Sequence, residues 1–226
     1  NYVVLTANAF SSLFAVLKAY GDSKTTVITS SVSTCFAMVN AIRAAGMDLV
    51  YEDVDLTSAS VPKIKAPVWG RQNTVAIVPD HFGSVAPSCK QPRSDQSLLI
   101  EDAAQALGIQ WDGKGCGSFG DTGSFSFFAD KTLTTCEGGF VTTNDEEIYN
   151  KLLLLRNQGR LHRGTFEHPA IGYNFRMNDV QAAIGLAQLK KLPEIIERKQ
   201  KNYNLYKEVL ADVEEIEILS PADKVE

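Results

Sequence analysis

Short apolar runs that alternate with helical patterns are the feature that most constrains the fold of this 226-residue chain. Four runs of β-prone residues are predicted as buried strands, at Thr26–Thr29, Leu49–Glu52, Thr74–Val78 and Ser97–Glu101. The last two are apolar almost throughout, and strands of that kind are usually covered on both faces, as in parallel sheets. The alternation therefore predicts an α/β fold with a mostly parallel, mixed central sheet that is flanked by helices.

Apolar residues at helical spacing predict helices between these strands and after them. Two predicted helices end at a glycine, Gly21 and Gly46, which is a usual stop signal. Pro193 is predicted to kink or break the last helical run, because proline lacks a backbone N–H. The predicted helices are Ala9–Tyr20, Cys35–Ala45, Asp145–Arg156, Asn178–Leu192 and Glu194–Leu210, two further strands are Gly123–Phe128 and Gly139–Thr143, and residues 82–96 and 158–175 are predicted to be mainly loop.

Charge and cysteine usage narrow the class of protein. The net charge of −5 argues against nucleic acid or an anionic membrane as the main partner. Basic residues between Lys190 and Lys207 alternate with acids, which predicts a solvated helix face. The cysteines Cys35, Cys89, Cys116 and Cys136 form no Cys-x-x-Cys pair, which predicts reduced thiols in a cytoplasmic protein and no metal site. No apolar stretch is long enough to cross a bilayer.

One lysine, Lys131, stands just past the aromatic segment Gly123–Phe128 and just before the glycine pair Gly138-Gly139. A lysine at the mouth of a buried strand lies in a low dielectric, which disfavours its ammonium form and lowers its pKa. The neutral amine can then attack a carbonyl, which is the chemistry of a Schiff-base lysine. The alternative is an ordinary surface lysine.

Two polar residues near predicted strand ends are further candidates. Asp102 follows the strand Ser97–Glu101, and ligands of open α/β sheets gather at the carboxyl ends of strands. An acid there can hold a positive charge on a bound ring nitrogen, or it can instead cap a helical turn that follows. Ser126 could donate to a phosphate, and the alternative is a buried strand serine.

The predicted loop at residues 158–175 holds polar candidates for binding. Long loops inside compact domains are often functional. Asn174 lies in this loop, before a helix that Asn178 or Asp179 can cap, and His168 shares the loop with it. The alternative is that these side chains only satisfy local backbone groups.

In their order along the chain, six segments resemble the DegT/DnrJ/EryC1/StrS family of pyridoxal-phosphate-dependent sugar aminotransferases. Each motif alone is only suggestive, whereas the ordered set is specific, and the similarity is strongest between residues 100 and 201. Within the family the chain looks most like the perosamine-synthase branch, which aminates C4 of a nucleotide-linked 4-keto-6-deoxy sugar. The matching segments are Ile100–Gly108, Gly117–Asp121, Gly123–Gly139, Leu155–Arg160, Arg163–Pro169 and Ile171–Gln188.

The resemblance implies a role around pyridoxal 5′-phosphate for each candidate. Lys131 matches the lysine that holds the cofactor as a Schiff base, and Asp102 matches the acid that pairs with its pyridine nitrogen. Gln105 matches a glutamine beside the cofactor ring, and Ser126 matches a phosphate-binding serine. Asn174 matches an asparagine that the neighbouring subunit donates to the phosphate, which implies a homodimer with shared active sites.

The resemblance also implies the reaction and the fold. It implies a large domain of fold type I and a transfer of the amino group from L-glutamate to a nucleotide-linked sugar, in polysaccharide synthesis such as that of O-antigen. Dehydratase relatives carry histidine at the lysine position, so Lys131 favours amine transfer. A non-catalytic or dehydratase-like relative with the same fold is the alternative.

The chain departs from the family's pattern at the phosphate site. Where the family has Ser-Gly-Thr at a helix N-terminus, this chain has Asn8-Ala9-Phe10. Ala9 and Phe10 are therefore expected to bind the cofactor phosphate through backbone amides. A hydroxyl from Ser11 or Ser12 is an alternative to those amides.

Two further departures concern a ring and a turn. The family usually stacks an aromatic side chain on the cofactor from the loop after the second strand, where this chain has Thr34, Cys35 and Phe36, of which only Phe36 is aromatic. Cys136 stands where glycine is common.

The two ends predict a piece of a longer protein, since the sequence starts with Asn1 rather than methionine and stops soon after a long helical pattern. Residues 1–192 are expected to form the cofactor-binding large domain without the family's N-terminal arm. Residues 193–226 are expected to hold a connecting helix and the start of a C-terminal small domain that is largely absent.

Overall fold

A seven-stranded sheet with the strand order β1-β9-β8-β5-β4-β2-β3 organises the chain. The computed structural model describes residues 1–32, 35–56, 58–62, 73–90, 98–162, 164 and 166–219. A separate two-stranded hairpin is formed by β6 and β7. The strands are β1 (Tyr2–Thr6), β2 (Thr26–Ser30), β3 (Asp48–Glu52), β4 (Thr74–Pro79), β5 (Leu98–Asp102), β6 (Gln110–Trp111), β7 (Lys114–Gly115), β8 (Thr122–Ser126) and β9 (Gly139–Thr143).

The sheet is mixed but mostly parallel, which confirms the predicted fold class. Strands β3, β2, β4, β5 and β8 pair in parallel with their neighbours. Strand β9 is antiparallel to both β8 and β1, so it alone among these seven strands runs in the opposite direction. The predicted strand Gly123–Phe128 is shorter than expected and ends at Ser126. Position 97 of the predicted strand Ser97–Glu101 lies outside the described residues.

The helices lie close to their predicted positions. They are α1 (Ala9–Tyr20), α2 (Phe36–Ala44), α3 (Glu146–Arg156), α4 (Asp179–Leu189) and α5 (Leu192–Val209), with a short 3₁₀ helix at Pro87–Lys90. The last helical run breaks after α4, three residues earlier than predicted. Pro193 lies in the first turn of α5, where its missing N–H would have no intrahelical partner in any case.

Polar side chains fix where three helices begin. Asn8 caps α1, because its Oδ1 accepts a hydrogen bond from the Ser11 N–H at 2.9 Å. Asp145 precedes the first turn of α3 and caps this helix by accepting hydrogen bonds from two backbone N–H groups. The helix therefore begins one residue later than the predicted helix, which places Asp145 in the first turn. Asn178 and Gln181 form a capping box at the start of α4.

The sheet is covered on both faces, as its apolar strands predict. One face packs against α1, α2 and α3 through buried side chains such as Leu17, Ile42 and Leu152. The segments after β4 and β5 form two smaller apolar clusters, which include Ala86 and Ala103. Helices α4 and α5 bury no residue in this chain. Of the helices that the structure describes, none has both the length and the apolar character that a bilayer crossing needs.

A change at Cys136 tests one local feature of this fold. Cys136 is exposed and has a φ of 66°, which explains why glycine is common in this place. The left-handed conformation costs a non-glycine residue about 1–2 kcal/mol, and the greater chain entropy of glycine offsets part of that. We expect Cys136→Gly to raise the free energy of unfolding in urea by about 0.5–1 kcal/mol. Cys136→Ser is the matched control and should change little, and a Gly variant less stable than the Ser variant would contradict this account.

Candidate active site

The carboxyl ends of the parallel strands bring the candidate residues to one edge of the sheet. Strand β5 ends at Asp102 and β8 ends at Ser126. Because β4 is parallel to β5, the residues that follow it, Asp80 and His81, reach the same edge. Such an edge is where open α/β sheets bind ligands. The sequence therefore places several polar groups at one rim although they are far apart in the chain.

Lys131 lies at this rim in a turn that folds back on β8. Its backbone N–H donates to the Phe128 carbonyl at 3.1 Å, and the Thr135 N–H donates to the Phe127 carbonyl at 2.9 Å. The Lys131 side chain is only 20% exposed, and its Nζ lies 3.7 Å from Oδ1 of the exposed Asp130. The alternative of an ordinary surface lysine does not fit this degree of burial.

Asp102 is a buried acid close enough to Lys131 to feel its charge. The residue is 8% exposed, and its Oδ1 accepts a hydrogen bond from the Ala104 N–H at 3.2 Å. Burial raises the pKa of Asp102 to about 6, while the Ala104 N–H and the charge of Lys131 both act to lower it. The segment after Asp102 is a turn and not a helix, and Asp102 caps this turn through the Ala104 N–H, as the alternative interpretation holds in part.

A cleft of about 670 Å³ opens beside Lys131 and Gln105. Phe82 lines it on the sheet side, and α5 lines it with Lys199, Tyr203 and other residues. The Lys199 Nζ donates to Thr132 Oγ1 at 3.0 Å. Lys199 is exposed, as the predicted solvated face of this helix requires, and it also lines the cleft. Asp102 and Ser126 do not line this cleft.

His81 is a further residue of this rim, and none of the sequence motifs indicates it. It is buried and stacks on Phe82 with ring centroids 5.3 Å apart. Burial lowers the pKa of His81, a hydrogen bond with Gln105 opposes that shift, and the charge of Lys131 adds to it. The imidazole is thus neutral at pH 7. Its position directly after a buried strand was the signal that could have found it.

The N-terminus of α1 lies beside the end of β8. Ser126 pairs with Gly139, and a Cβ added to Gly139 would lie 2.9 Å from the Asn8 carbonyl carbon and 3.0 Å from the Ala9 nitrogen. The first N–H groups of α1, those of Ala9 and Phe10, have no partner within the helix. Unpaired N–H groups at a helix N-terminus are donors of the kind that can hold an anion.

Ser11 and Ser12 do not supply free hydroxyls to that site. The Ser11 hydroxyl donates to Asn8 Oδ1 at 2.9 Å. The Ser12 hydroxyl pairs with the Thr6 hydroxyl at 2.6 Å, and both serines are buried. Backbone amides therefore remain the anion donors of this turn.

Asn174 is placed away from the cleft that Lys131 lines. Its neighbours Tyr173 and Phe175 pack edge-on against Phe14 of α1, and the Phe175 carbonyl accepts from the Ala7 N–H at 2.8 Å. Asn174 lies between them in the sequence, and its side chain is exposed. This segment is therefore firmly attached near the start of α1 while Asn174 is available to another molecule.

Two other candidates stay outside the assembled site in this chain. Phe36 begins α2 and is 77% exposed, and Thr34 lies outside the described residues. Nδ1 of the exposed His168 lies 2.8 Å from the Gln158 carbonyl oxygen, so it satisfies local backbone, as its alternative interpretation holds.

Known proteins are similar to this chain in sequence and in fold. The chain is 35% identical to the GDP-perosamine synthase of Escherichia coli O157:H7 over 210 residues, which are 91% of this chain and 58% of that protein. The solved structure of the aminotransferase TlmJ from Streptoalloteichus hindustanus matches with a TM-score of 0.88 and 30% identity, over 99% of this chain and 63% of that one. The chain thus spans less than two thirds of the length of these relatives.

A third similarity shows the fold alone. The structure of E coli GDP-4-keto-6-deoxy-D-mannose-3-dehydratase with bound hydrated PLP has a TM-score of 0.89 at 23% identity, over 99% of this chain and 64% of that one. The family model of the DegT/DnrJ/EryC1/StrS aminotransferases, a family that uses pyridoxal phosphate, matches residues 1–226. The strand-edge lysine, the buried acid and these matches together show that the chain belongs to the DegT/DnrJ/EryC1/StrS aminotransferase family.

Proposed function

We propose that this chain is the cofactor-binding part of a pyridoxal-phosphate-dependent aminotransferase. Its reaction moves the amino group of L-glutamate to a nucleotide-linked 4-keto-6-deoxy sugar. The observation that carries the proposal is the largely buried Lys131 amine within electrostatic reach of the buried Asp102. A lysine and an acid placed in this way match the two groups that pyridoxal enzymes need.

The donor set of the site fits pyridoxal phosphate. Lys131 would hold the aldehyde carbon, and Asp102 would hold the pyridine nitrogen. Ser126 and the first N–H groups of α1, those of Ala9 and Phe10, would hold the phosphate. Gln105 lines the same cleft as Lys131 and would lie beside the ring. When bound, this cofactor supplies an electron sink for the carbon that loses its proton.

Proton transfer is the work of Lys131 in this proposal. Its Nζ, when neutral, takes the proton from the α-carbon of the amino donor, and in the second half-reaction it delivers a proton to the carbonyl carbon of the sugar. Asp102 is ionised above its pKa of about 6 and would then stabilise a positive charge on the pyridine nitrogen of the cofactor. The neutral His81 adds no further positive charge beside Lys131.

Three features support a nucleotide-linked sugar as the acceptor. A relative at 35% identity is a GDP-perosamine synthase. The cleft volume of about 670 Å³ falls in the range of small-molecule sites. Its α5 wall offers the Lys199 ammonium, the Tyr203 ring and the Asn204 amide to a charged and polar substrate.

A homodimer with shared active sites is part of the proposal. The exposed Asn174 would donate a hydrogen bond to the cofactor phosphate of the neighbouring subunit. Exposed apolar side chains on α4, such as Val180 and Leu186, would be buried against that subunit. The division into a large domain at residues 1–192 and a connecting helix with a second domain from residue 193 is proposed with it. We place the enzyme in the cytoplasm, in a pathway of polysaccharide synthesis such as that of O-antigen.

A dehydratase-like or non-catalytic role is the second candidate. The observation that favours it is Ala9 and Phe10 in place of the glycine and threonine of the family's phosphate turn, which removes one hydroxyl donor. Lys131 argues against the dehydratase form, because those relatives carry histidine there.

Product analysis with L-glutamate and GDP-, dTDP- or UDP-linked 4-keto-6-deoxy sugars separates the two candidates. An amino sugar supports transfer, a deoxygenated sugar supports elimination, and no product from any of the sugars supports a non-catalytic role.

Covalent labelling tests Lys131 independently of activity. The full-length protein is reduced with borohydride in the presence of pyridoxal phosphate, and the labelled peptide is identified by mass spectrometry. The label should lie on Lys131, because its amine lines the cleft and interacts with Asp102. Lys131→Ala should remove the label. The matched control, Lys199→Ala, also removes an amine from the cleft and should leave the label in place. A label on Lys199, or no specific label in the unmodified protein, would contradict the assignment.

The pH dependence of cofactor binding tests Asp102. Its pKa of about 6 means that the acid is largely protonated below pH 6 and cannot neutralise a pyridinium without losing that proton. We expect the dissociation constant of pyridoxal phosphate to rise by up to tenfold per pH unit as the pH falls below about 6. The cofactor phosphate titrates in the same range, so the measurement is the difference from Asp102→Asn, which should bind more weakly at pH 8 and lack this component. Identical pH profiles for the two proteins would exclude the role.

A further inference from the structure

Asp80 and Glu101 form a buried carboxyl pair behind the candidate active site. Both side chains are 0% exposed, and they lie at the ends of the neighbouring strands β4 and β5. Their carboxylate oxygens and the Cys89 sulfur all lie within 4.8 Å of one another. The proposed chemistry of Lys131 does not use either acid.

Glu101 is surrounded by hydrogen-bond donors. Its Oε2 accepts from the Gly117 N–H at 2.7 Å, and its Oε1 accepts from the Phe119 N–H at 2.6 Å and the Gly120 N–H at 2.5 Å. Three backbone donors stabilise an ionised carboxylate. Burial raises the pKa of Glu101, and these N–H groups act to lower it, so Glu101 is better placed than Asp80 to carry the negative charge of the pair.

Asp80 has fewer donors around it. Its Oδ1 accepts from the Ala86 N–H at 2.9 Å, while its buried Oδ2 has no donor among the described residues. An ionised Oδ2 beside a second carboxylate would be both unpaired and repelled, without water to screen it. A proton on Oδ2 removes both costs, because it makes this oxygen a donor to Glu101.

We propose that Asp80 stays protonated at neutral pH and donates a hydrogen bond to Glu101, so that this carboxyl pair positions the rim of the active site. The backbone N–H of Asp80 donates to the carbonyl of Asp102 at 3.0 Å, which connects the pair directly to the candidate cofactor acid. Through Ala86, the pair also holds the loop that carries His81 and Phe82. Through Gly117 to Gly120, it holds the turn that leads into β8.

The charges around Asp80 agree with this assignment. Burial and the neighbouring Glu101 raise the pKa of Asp80 well above its usual 3.8, and the nearby Asp102 adds to that shift. Burial also raises the pKa of the Cys116 thiol, which faces the same pair, so this group adds no negative charge at neutral pH. Lys90 lies close enough to Asp80 for their charges to interact, and burial lowers the pKa of this lysine.

A metal ion could in principle replace the proton, since two carboxylates and a thiol converge here. The contacts favour the proton. The oxygens of Glu101 already accept three N–H groups, and the ammonium of Lys90 repels a further cation. Cys89, the thiol of this group, is partly buried against two apolar clusters, where a thiolate ligand is costly.

Urea unfolding as a function of pH tests the shared proton. A pKa raised on folding means that its stabilisation is complete below the unfolded pKa of about 3.8 and is lost as the pH rises toward the folded pKa. Relative to Asp80→Asn, which keeps the shape and the donor but cannot ionise, the unfolding constant of the unmodified protein should rise up to tenfold per pH unit from about pH 4 upward, and level off above the pKa of Asp80. Asp48→Asn, an exposed control, should show no such difference.

Two further measurements keep the proposal falsifiable. The infrared band of a protonated carboxyl group should be present at pH 7 in the unmodified protein and absent in Asp80→Asn. Asp80→Ala leaves the Ala86 N–H without its partner and removes the hydrogen bond that Asp80 donates to Glu101. It should raise the unfolding constant at pH 7 by about ten- to a hundredfold, and Asp80→Asn should avoid most of this loss. These measurements do not depend on catalysis, so they can fail while the proposed function stands. Absence of the carboxyl band at pH 7, or one equivalent of zinc that Asp80→Asn abolishes, would overturn the proposal.

Discussion

The attraction between the Lys131 amine and the buried carboxyl group of Asp102 is the interaction on which the candidate site depends. Neither group has its ordinary surroundings, because both are largely withdrawn from water at the carboxyl edge of the sheet. The parallel pairing of β5 and β8 is what brings them together, since it ends both strands at one rim. A change that moved either strand end would separate the proton-transfer group from the acid that is proposed to hold the ring nitrogen.

Backbone geometry supplies the rest of the site. The only antiparallel neighbour of β8 in the described sheet is β9, which begins at Gly139 directly against the first turn of α1. The close approach depends on the absence of a side chain at Gly139. It places the helix N-terminus beside Ser126, so an anion can bind to main-chain donors even though Ala9 and Phe10 replace the polar residues of the family's pattern. Behind the rim, the acids Asp80 and Glu101 connect two loops and the end of β5 through hydrogen bonds to backbone groups.

Much of this architecture could be predicted from the sequence. The predicted bounds of strands β2, β4 and β5 and of helix α1 lie within about one residue of the observed bounds. Each of these strands is a short apolar run, and the apolar residues of α1 recur at helical spacing. The edge strand β1 was missed, since it buries Val4 but exposes Val3 and Leu5 and so reads as an undivided apolar run. The strands of the β6–β7 hairpin are only two residues long, which is too short for any period to show.

The candidate site was predicted where a single motif carries it and missed where it depends on tertiary contact. Lys131 and Asp102 follow recognisable segments, whereas Asp80 and His81 become part of the rim only because β4 pairs with β5. The contact of Lys199 with Thr132 could not be predicted, because it joins residues 67 positions apart.

The most direct test of the account is the ¹⁵N NMR shift of the ring nitrogen of ¹⁵N-labelled pyridoxal phosphate bound to the full-length protein at pH 8. The account predicts a protonated ring nitrogen that becomes unprotonated in Asp102→Asn, and an unprotonated nitrogen in the unmodified protein would contradict it.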